Sequence, residues 1–180
     1  MNKLFMTETA IHALLDGMAR DLSRRIAEQG VDAPLMVGIH TGGVWIAREL
    51  ARRLALAMET PLGELDISFY RDDFTQIGMN PQVKPSHLPV DLDGRNIILV
   101  DDVLHTGRTI RAALNELFDY GRPRSVMLAV LISRAGRQLP IQADISGLEP
   151  AIDPQDHIIL KGPDTLELYL GEPGAKDRAE

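Results

Sequence analysis

Apolar positions recur along this chain at two periods, helical and two-residue, and stretches of each alternate. Between residues 7 and 29, Ile11, Leu14, Leu15, Met18, Leu22 and Ile26 fall on one helical face. Thr7 can cap the start of that helix and Gly30 its end. Leu35–Ile39 is a short unbroken apolar run, which predicts a buried strand. His40-Thr-Gly-Gly43 breaks it. A second helix follows to about Met58, with Val44, Ala47, Leu50, Ala51 and Leu54 on one face. Glu64–Tyr70 alternates at period two and predicts a strand. Residues 71–90 lose periodicity and carry Gly78, Pro81, Pro85 and Pro89, so they read as a long flexible loop.

The pattern resumes after the turn signal Asp93-Gly94. Residues 96–101 predict a strand, and Thr106–Tyr120 a helix closed by Gly121, with Ile110, Ala113, Leu114 and Leu117 facing inward. Val126–Ile132, the longest apolar run, predicts a central strand. Weaker strand signals fall at Ile141–Ile145 and His157–Leu160, while Leu166–Leu170 alternates cleanly. The polar tail 172–180 reads as frayed. Strands alternating with helices predict an α/β fold, a parallel sheet flanked by helices, in one domain spanning 1–180. Right-handed crossovers put every strand-to-helix loop at one sheet edge, so loops 40–43 and 101–109 are expected to meet.

Composition narrows this picture slightly. The absence of cysteine removes disulfides and thiolate metal sites and fits a reducing cytoplasm, the expected location. No apolar run approaches the roughly 20 residues of a membrane span, and Met1–Met6 lacks a signal-peptide core. A net charge of −7 opposes nucleic acid globally but allows a local basic patch. Arginine outnumbers lysine 15 to 4, and arginine suits two-pronged phosphate contacts.

The chemistry concentrates around residues 101–109. A helix amino terminus offers unpaired N–H groups and partial positive charge, Gly107 admits close backbone approach, and Thr106 and Thr109 add hydroxyls. Together they make a phosphate cup. Asp101 and Asp102 repel phosphate but suit sugar hydroxyls or a magnesium ion. A sugar phosphate with neighbouring hydroxyls satisfies both halves. Taken alone, an Asp-Asp pair at a strand end is a turn and Thr106 a cap. His40-Thr-Gly-Gly43 is by itself a common turn, and beside a phosphate cup it can cradle pyrophosphate. Arg71 can clamp phosphate. Asp72, Asp73 and Lys84 can serve the ligand or simply solvate the loop.

Val100-Asp-Asp-Val-Leu-His-Thr-Gly-Arg-Thr109 resembles the phosphoribosyl-pyrophosphate (PRPP) motif of type I phosphoribosyltransferases. Val37-Gly-Ile-His-Thr-Gly-Gly43, Gly63-Glu-Leu-Asp-Ile-Ser-Phe-Tyr-Arg-Asp-Asp73, Gly121-Arg-Pro123 and Arg137-Gln-Leu-Pro-Ile-Gln-Ala-Asp144 narrow the resemblance to the PyrR family, regulators of pyrimidine operons that also have uracil phosphoribosyltransferase activity. It covers about residues 8–170. It implies the type I phosphoribosyltransferase fold with a small hood, and the reaction of uracil with PRPP to give UMP and pyrophosphate, with Mg2+ as cofactor. By motif, Asp101 and Asp102 face the ribose diol and metal. Val103, Leu104, His105, Thr106, Gly107, Arg108 and Thr109 form the PRPP loop. His40, Thr41, Gly42 and Gly43 hold pyrophosphate, and Arg71 with its loop closes over it as a catalytic group.

Three positions depart from the family pattern. Gly42-Gly43 lacks the frequent arginine of that turn. His105 stands where tyrosine is usual and is expected to contact ribose or base. Ser133-Arg-Ala-Gly-Arg137 lacks the usual acid and histidine. The resemblance also implies homodimers or larger rings and regulatory binding to an mRNA leader, a reading that gains weight if Arg20, Arg24, Arg25, Arg134 and Arg137 form one basic face. An RNA-binding regulator that uses the pocket as a nucleotide sensor, or a transferase for another base, are the alternatives.

Overall fold

The computed structural model describes residues 2–54, 62–67, 86–153 and 155–171. Its elements are β1 (Lys3–Met6), α1 (Glu8–Glu28), β2 (Leu35–Ile39), α2 (Gly42–Leu54), β3 (Gly63–Leu65), β4 (Asn96–Leu104), α3 (Arg108–Tyr120), β5 (Ser125–Ser133), β6 (Ile145–Leu148), β7 (His157–Lys161) and β8 (Glu167–Gly171). Five strands form a parallel sheet in the order β3-β2-β4-β5-β6, and β1-β8-β7 form a small antiparallel sheet. This is the expected α/β fold with a hood.

Alternation along the strands explains the layers. Leu35, Val37 and Ile39 of β2, with Ile97 and Leu99 of β4, pack on α3 through Ile110, Ala113 and Leu117. Met36, Ile98 and Val100 point the other way, onto Ile11, Leu15, Met18 and Leu22 of α1 and Ile46, Ala47 and Leu50 of α2. Leu160, Leu166 and Leu168 of the hood join that second cluster, so the hood shares a core with the main sheet. Each such side chain, fully buried, contributes about 1.5–3 kcal/mol.

Several expected boundaries move. β4 runs past both acids to Leu104, held by parallel pairing of Val103 with Ile132 and Leu104 with Ser133. α3 therefore begins at Arg108, two residues later than expected. β5 is an interior strand as expected, between β4 and β6. Ile141–Asp144 is not strand. Its Asp144 instead accepts the Leu128 N–H at 2.9 Å, and β6 starts at Ile145. β3 is short, because beyond Leu65 the chain turns to Ser86: the Asp66 N–H donates to Ser86 Oγ at 3.0 Å. Residues 68–70 of that expected strand, 55–58 of the second helix, 71–85 of the loop and the tail 172–180 lie outside the described residues. β1 has no counterpart in the sequence reading, since four residues carry too little period to be seen.

Thr7 occupies the cap position of α1 with an extended backbone, but its side chain makes no capping bond. Gly30 follows the helix end with φ +60°, as a C-terminal glycine does. Among the described residues no helix is long and apolar enough to cross a membrane.

Candidate active site

Because β2 and β4 are parallel neighbours, turn 40–43 and the acids of β4 emerge at the same end of the sheet. They touch. A Cβ on Gly42 would lie 2.4 Å from Asp102 Oδ2, and one on Gly43 would lie 2.5 Å from the Val100 carbonyl oxygen. The paired glycines therefore let the amino end of α2 rest directly on Asp101-Asp102. Carboxylates are favoured there, where helix N–H groups lack partners.

The two acids are not equivalent. Asp101 is only 5% exposed, and its Oδ1 accepts the Asp102 N–H at 3.0 Å. Asp102 is partly exposed, and its Oδ1 accepts the Val103 N–H at 2.9 Å. Asp102 is thus the more open of the pair. Val103 is partly buried against the core and Leu104 is buried, so neither side chain projects as a polar contact.

His105, Thr106 and Gly107 carry the chain from β4 into α3. Gly107 has φ +93°, the left-handed region that side chains disfavour. Thr106 Oγ accepts the Arg108 N–H at 3.2 Å, and the Thr106 carbonyl accepts the N–H of Gln138 at 2.9 Å and of Leu139 at 3.2 Å. Arg108 Nε donates to Gln138 Oε1 at 3.0 Å. Segment 138–141 thus braces the turn from behind. Thr109 sits partly exposed in the first turn of α3.

The His105 ring lies against Gly136, whose Cβ would meet its Nε2 at 3.0 Å. Arg137 donates to the His105 carbonyl and, at 3.2 Å, to Ser133 Oγ. Burial pushes the His105 imidazole below its ordinary pKa, and the charges of Arg134, Arg137 and His157 push it the same way. His105 is therefore neutral at neutral pH. Beside this turn opens a groove of about 750 Å³, lined in part by Ser133, Arg134, Arg137, Ile141, Glu149 and Ala151. Another cavity, of about 710 Å³, lies where α3 ends, by Phe118 and Tyr120, away from this chemistry.

His40 is fixed twice to β3. Its N–H donates to the Leu65 carbonyl at 2.8 Å, and its Nε2 lies 2.9 Å from Glu64 Oε2. The His40–Thr41 peptide is cis, and Thr41 is exposed. Arg71, Asp72, Asp73 and Lys84 lie outside the described residues. Glu64 and Gln138 are further residues of this site that the sequence pattern does not single out. An acid alternating with buried Gly63 and Leu65 in the strand next to the turn was the available signal for Glu64.

Of the five arginines, Arg20, Arg24 and Arg25 lie along α1, and Arg134 and Arg137 follow the end of β5. Arg20 is exposed, but Arg24 pairs with Asp21 at 2.8 Å and Arg25 with Asp144 at 3.0 Å. Arg134 is 5% exposed and donates to the Asp153 carbonyl at 3.3 Å, and Arg137 braces the His105 turn. Packing at the end of β5 draws the last two inward.

Comparison with known proteins identifies the family and the fold. Residues 8–160 match the phosphoribosyl transferase domain family. A bifunctional protein PyrR of Nitrosococcus oceani is 57% identical over 89% of this chain and 90% of its own length. One of Pseudomonas aeruginosa is 54% identical over 86% of this chain and 90% of its own. Among solved structures, a hypoxanthine phosphoribosyl transferase of Trypanosoma cruzi superposes with a TM-score of 0.70 at 21% identity, covering 95% of this chain and 91% of that one. A Staphylococcus aureus hypoxanthine phosphoribosyltransferase gives 0.62 at 19% identity, covering 82% and 77%. The distant structures establish the fold, the near relatives the lineage: this chain belongs to the phosphoribosyl transferase family and, within it, to the PyrR proteins.

Proposed function

We propose that this protein transfers the ribose 5-phosphate of PRPP to uracil, yielding UMP and pyrophosphate. The observation that carries the reading is the contact between Gly42 and Asp102, which unites an acidic pair, a glycine turn and the approach to α3 at one rim. Residues 105–109 hold the 5′-phosphate at the start of α3, and residues 40–43 hold the pyrophosphate. Asp102 accepts a ribose hydroxyl, with Asp101 enclosed behind it. Uracil enters the groove beside His105 and Ser133. We place Arg71 among the pyrophosphate contacts, by motif alone.

Cleavage at the anomeric carbon develops positive charge on the sugar ring and negative charge on the leaving group. Backbone N–H groups at the starts of α2 and α3 meet the phosphates where that negative charge grows. The nearby carboxylate of Asp102 favours the cationic ring. A neutral His105 can hydrogen-bond to ligand without adding charge.

The acids also fit magnesium. Among the described residues no group of three or more potential ligands stands together. Two adjacent carboxylates without a protein cage suit an ion that arrives on substrate phosphates and keeps its waters. Its chemistry would be to neutralise the leaving pyrophosphate.

The test is incubation with PRPP, magnesium and each free base in turn. UMP and pyrophosphate from uracil support the reading, and product from a purine alone rejects it. The relatives' description as bifunctional supports a second activity, nucleotide-dependent binding of the mRNA leader of pyrimidine genes. Its test is UMP-enhanced, salt-sensitive binding to that leader. Absence of binding at low salt rejects it.

A further inference from the structure

We propose that Glu64 is a positioning residue for the pyrophosphate turn, its carboxylate holding the His40 imidazole and thereby the geometry of residues 40–43. The proposal rests on the reading of that turn given above. It begins with register. β3 pairs with β2 so that Glu64 faces Gly38 and Leu65 faces Ile39. Leu65 and Ile39 both enter the core under α3. Alternation sends Glu64 and His40 to the opposite side, where α2 packs.

There each carboxylate oxygen has its own partner. Oε2 lies 2.9 Å from His40 Nε2, and Oε1 accepts from Arg48 of α2 at 2.8 Å. The two contacts differ in environment. The His40 side chain is 14% exposed and that of Arg48 56%. Water screens the arginine contact, and an exposed pair contributes little. The histidine contact is the more shielded from water.

The carboxylate also springs from a braced backbone. On one edge Glu64 lies in the ladder with β2. On the other it exchanges two hydrogen bonds with His87, at 2.8 and 2.7 Å. Two residues on, the Asp66 N–H donates to Ser86 Oγ, which donates to Glu116 Oε1 of α3 at 3.1 Å.

A carboxylate that accepts the Nε2 hydrogen decides which ring nitrogen carries it and how the ring is turned. His40 is the first residue of the turn, and Gly42, two residues on, abuts Asp102. A small displacement of His40 therefore reaches both the pyrophosphate amides and the acidic pair. Misplacement of about 1 Å is enough to cost a large part of a rate.

The test uses the full chain with Glu64→Gln, Glu64→Ala, His40→Ala and the double variant Glu64→Ala/His40→Ala. Calorimetry measures pyrophosphate with magnesium and, separately, UMP. PRPP kinetics and melting temperature accompany it. Glu64→Ala is expected to weaken pyrophosphate binding and raise the KM for PRPP about tenfold, the loss of one charge-assisted hydrogen bond. Glu64→Gln, which keeps an acceptor, falls between. UMP affinity falls less than pyrophosphate affinity, because of the UMP contacts only Asp102 adjoins the turn and the rest lie on residues 105–109 and the groove. In the His40→Ala background, removing Glu64 adds nothing further.

Unchanged pyrophosphate affinity in Glu64→Ala overturns the proposal. So does an equal loss for UMP and pyrophosphate with a fallen melting temperature, the mark of a merely structural role. So do additive effects in the double variant. If the wild type binds pyrophosphate but makes no UMP, the uracil reading fails while the Glu64 result still stands on binding. If the wild type does not bind pyrophosphate, both fail.

Discussion

Gly42 and Asp102, sixty residues apart in sequence, are in such close contact that residue 42 has no room for a side chain. The nearest atom to its missing Cβ is the Asp102 carboxylate at 2.4 Å, the flexible end of a side chain. Gly43 differs, since its missing Cβ faces the Val100 backbone carbonyl at 2.5 Å.

This contrast predicts two different outcomes. Gly42→Ala should displace the Asp102 carboxylate and leave the fold standing, with turnover down about 100-fold and little change in melting temperature. Gly43→Ala meets backbone that cannot step aside and should destabilise by about 1–3 kcal/mol. Denaturation midpoints and steady-state rates on the two variants check both. Equal thermal losses would contradict the distinction.

The acids themselves should separate in the same way. Asp102→Asn is expected to lower turnover about 100-fold with stability retained, because the more open carboxylate faces ligand. Asp101→Ala should lower stability as well, since it removes the enclosed Oδ1 that accepts the Asp102 N–H. The double variant should be inactive yet folded. UMP synthesis near the wild-type rate would remove both acids from the site.

His105 gives a pH signature. Burial, Arg134, Arg137 and His157 hold its folded pKa below the unfolded value. The unfolded chain then binds the proton more readily, so this group weakens the fold as pH falls. The penalty is absent above the unfolded value of about 6.5 and grows until pH passes below the folded value. His105→Phe should therefore narrow the gap in stability between pH 7 and pH 5. Chemical denaturation at the two values measures it, and an unchanged gap rejects the assignment.

Arg137 is expected to act on the turn rather than on RNA alone. Its guanidinium ties the His105 carbonyl to Ser133 across the end of β4 and β5. Arg137→Ala should weaken UMP binding about tenfold in the absence of any RNA. Calorimetry with UMP decides it. Wild-type affinity would return Arg137 to a surface role.

Much of the architecture is legible in the sequence. The 3.6-residue period gave α1 and α3 within two residues, and the apolar run Leu35–Ile39 matched β2. The meeting of turn 40–43 with the acidic pair followed from crossover handedness alone. The misses share a cause. β1, four residues long, is too short for a period and exists through pairing with β8, while β3 answers the alternation that begins at Glu64 but ends at Leu65. The end of β4 was misplaced because the carboxylates of Asp101 and Asp102, polar in the sequence, sit within a strand held by β5.

What the sequence determined by itself was local: period, turn chemistry and the motif from Val100 to Thr109, because these depend on residues a few positions apart. Only the tertiary structure decided that Asp101 is enclosed while Asp102 is open, that Arg134 turns inward, and that Glu64 reaches His40. Those outcomes depend on which strands lie side by side and on how closely a helix start can approach them, and no stretch of chain carries that information alone.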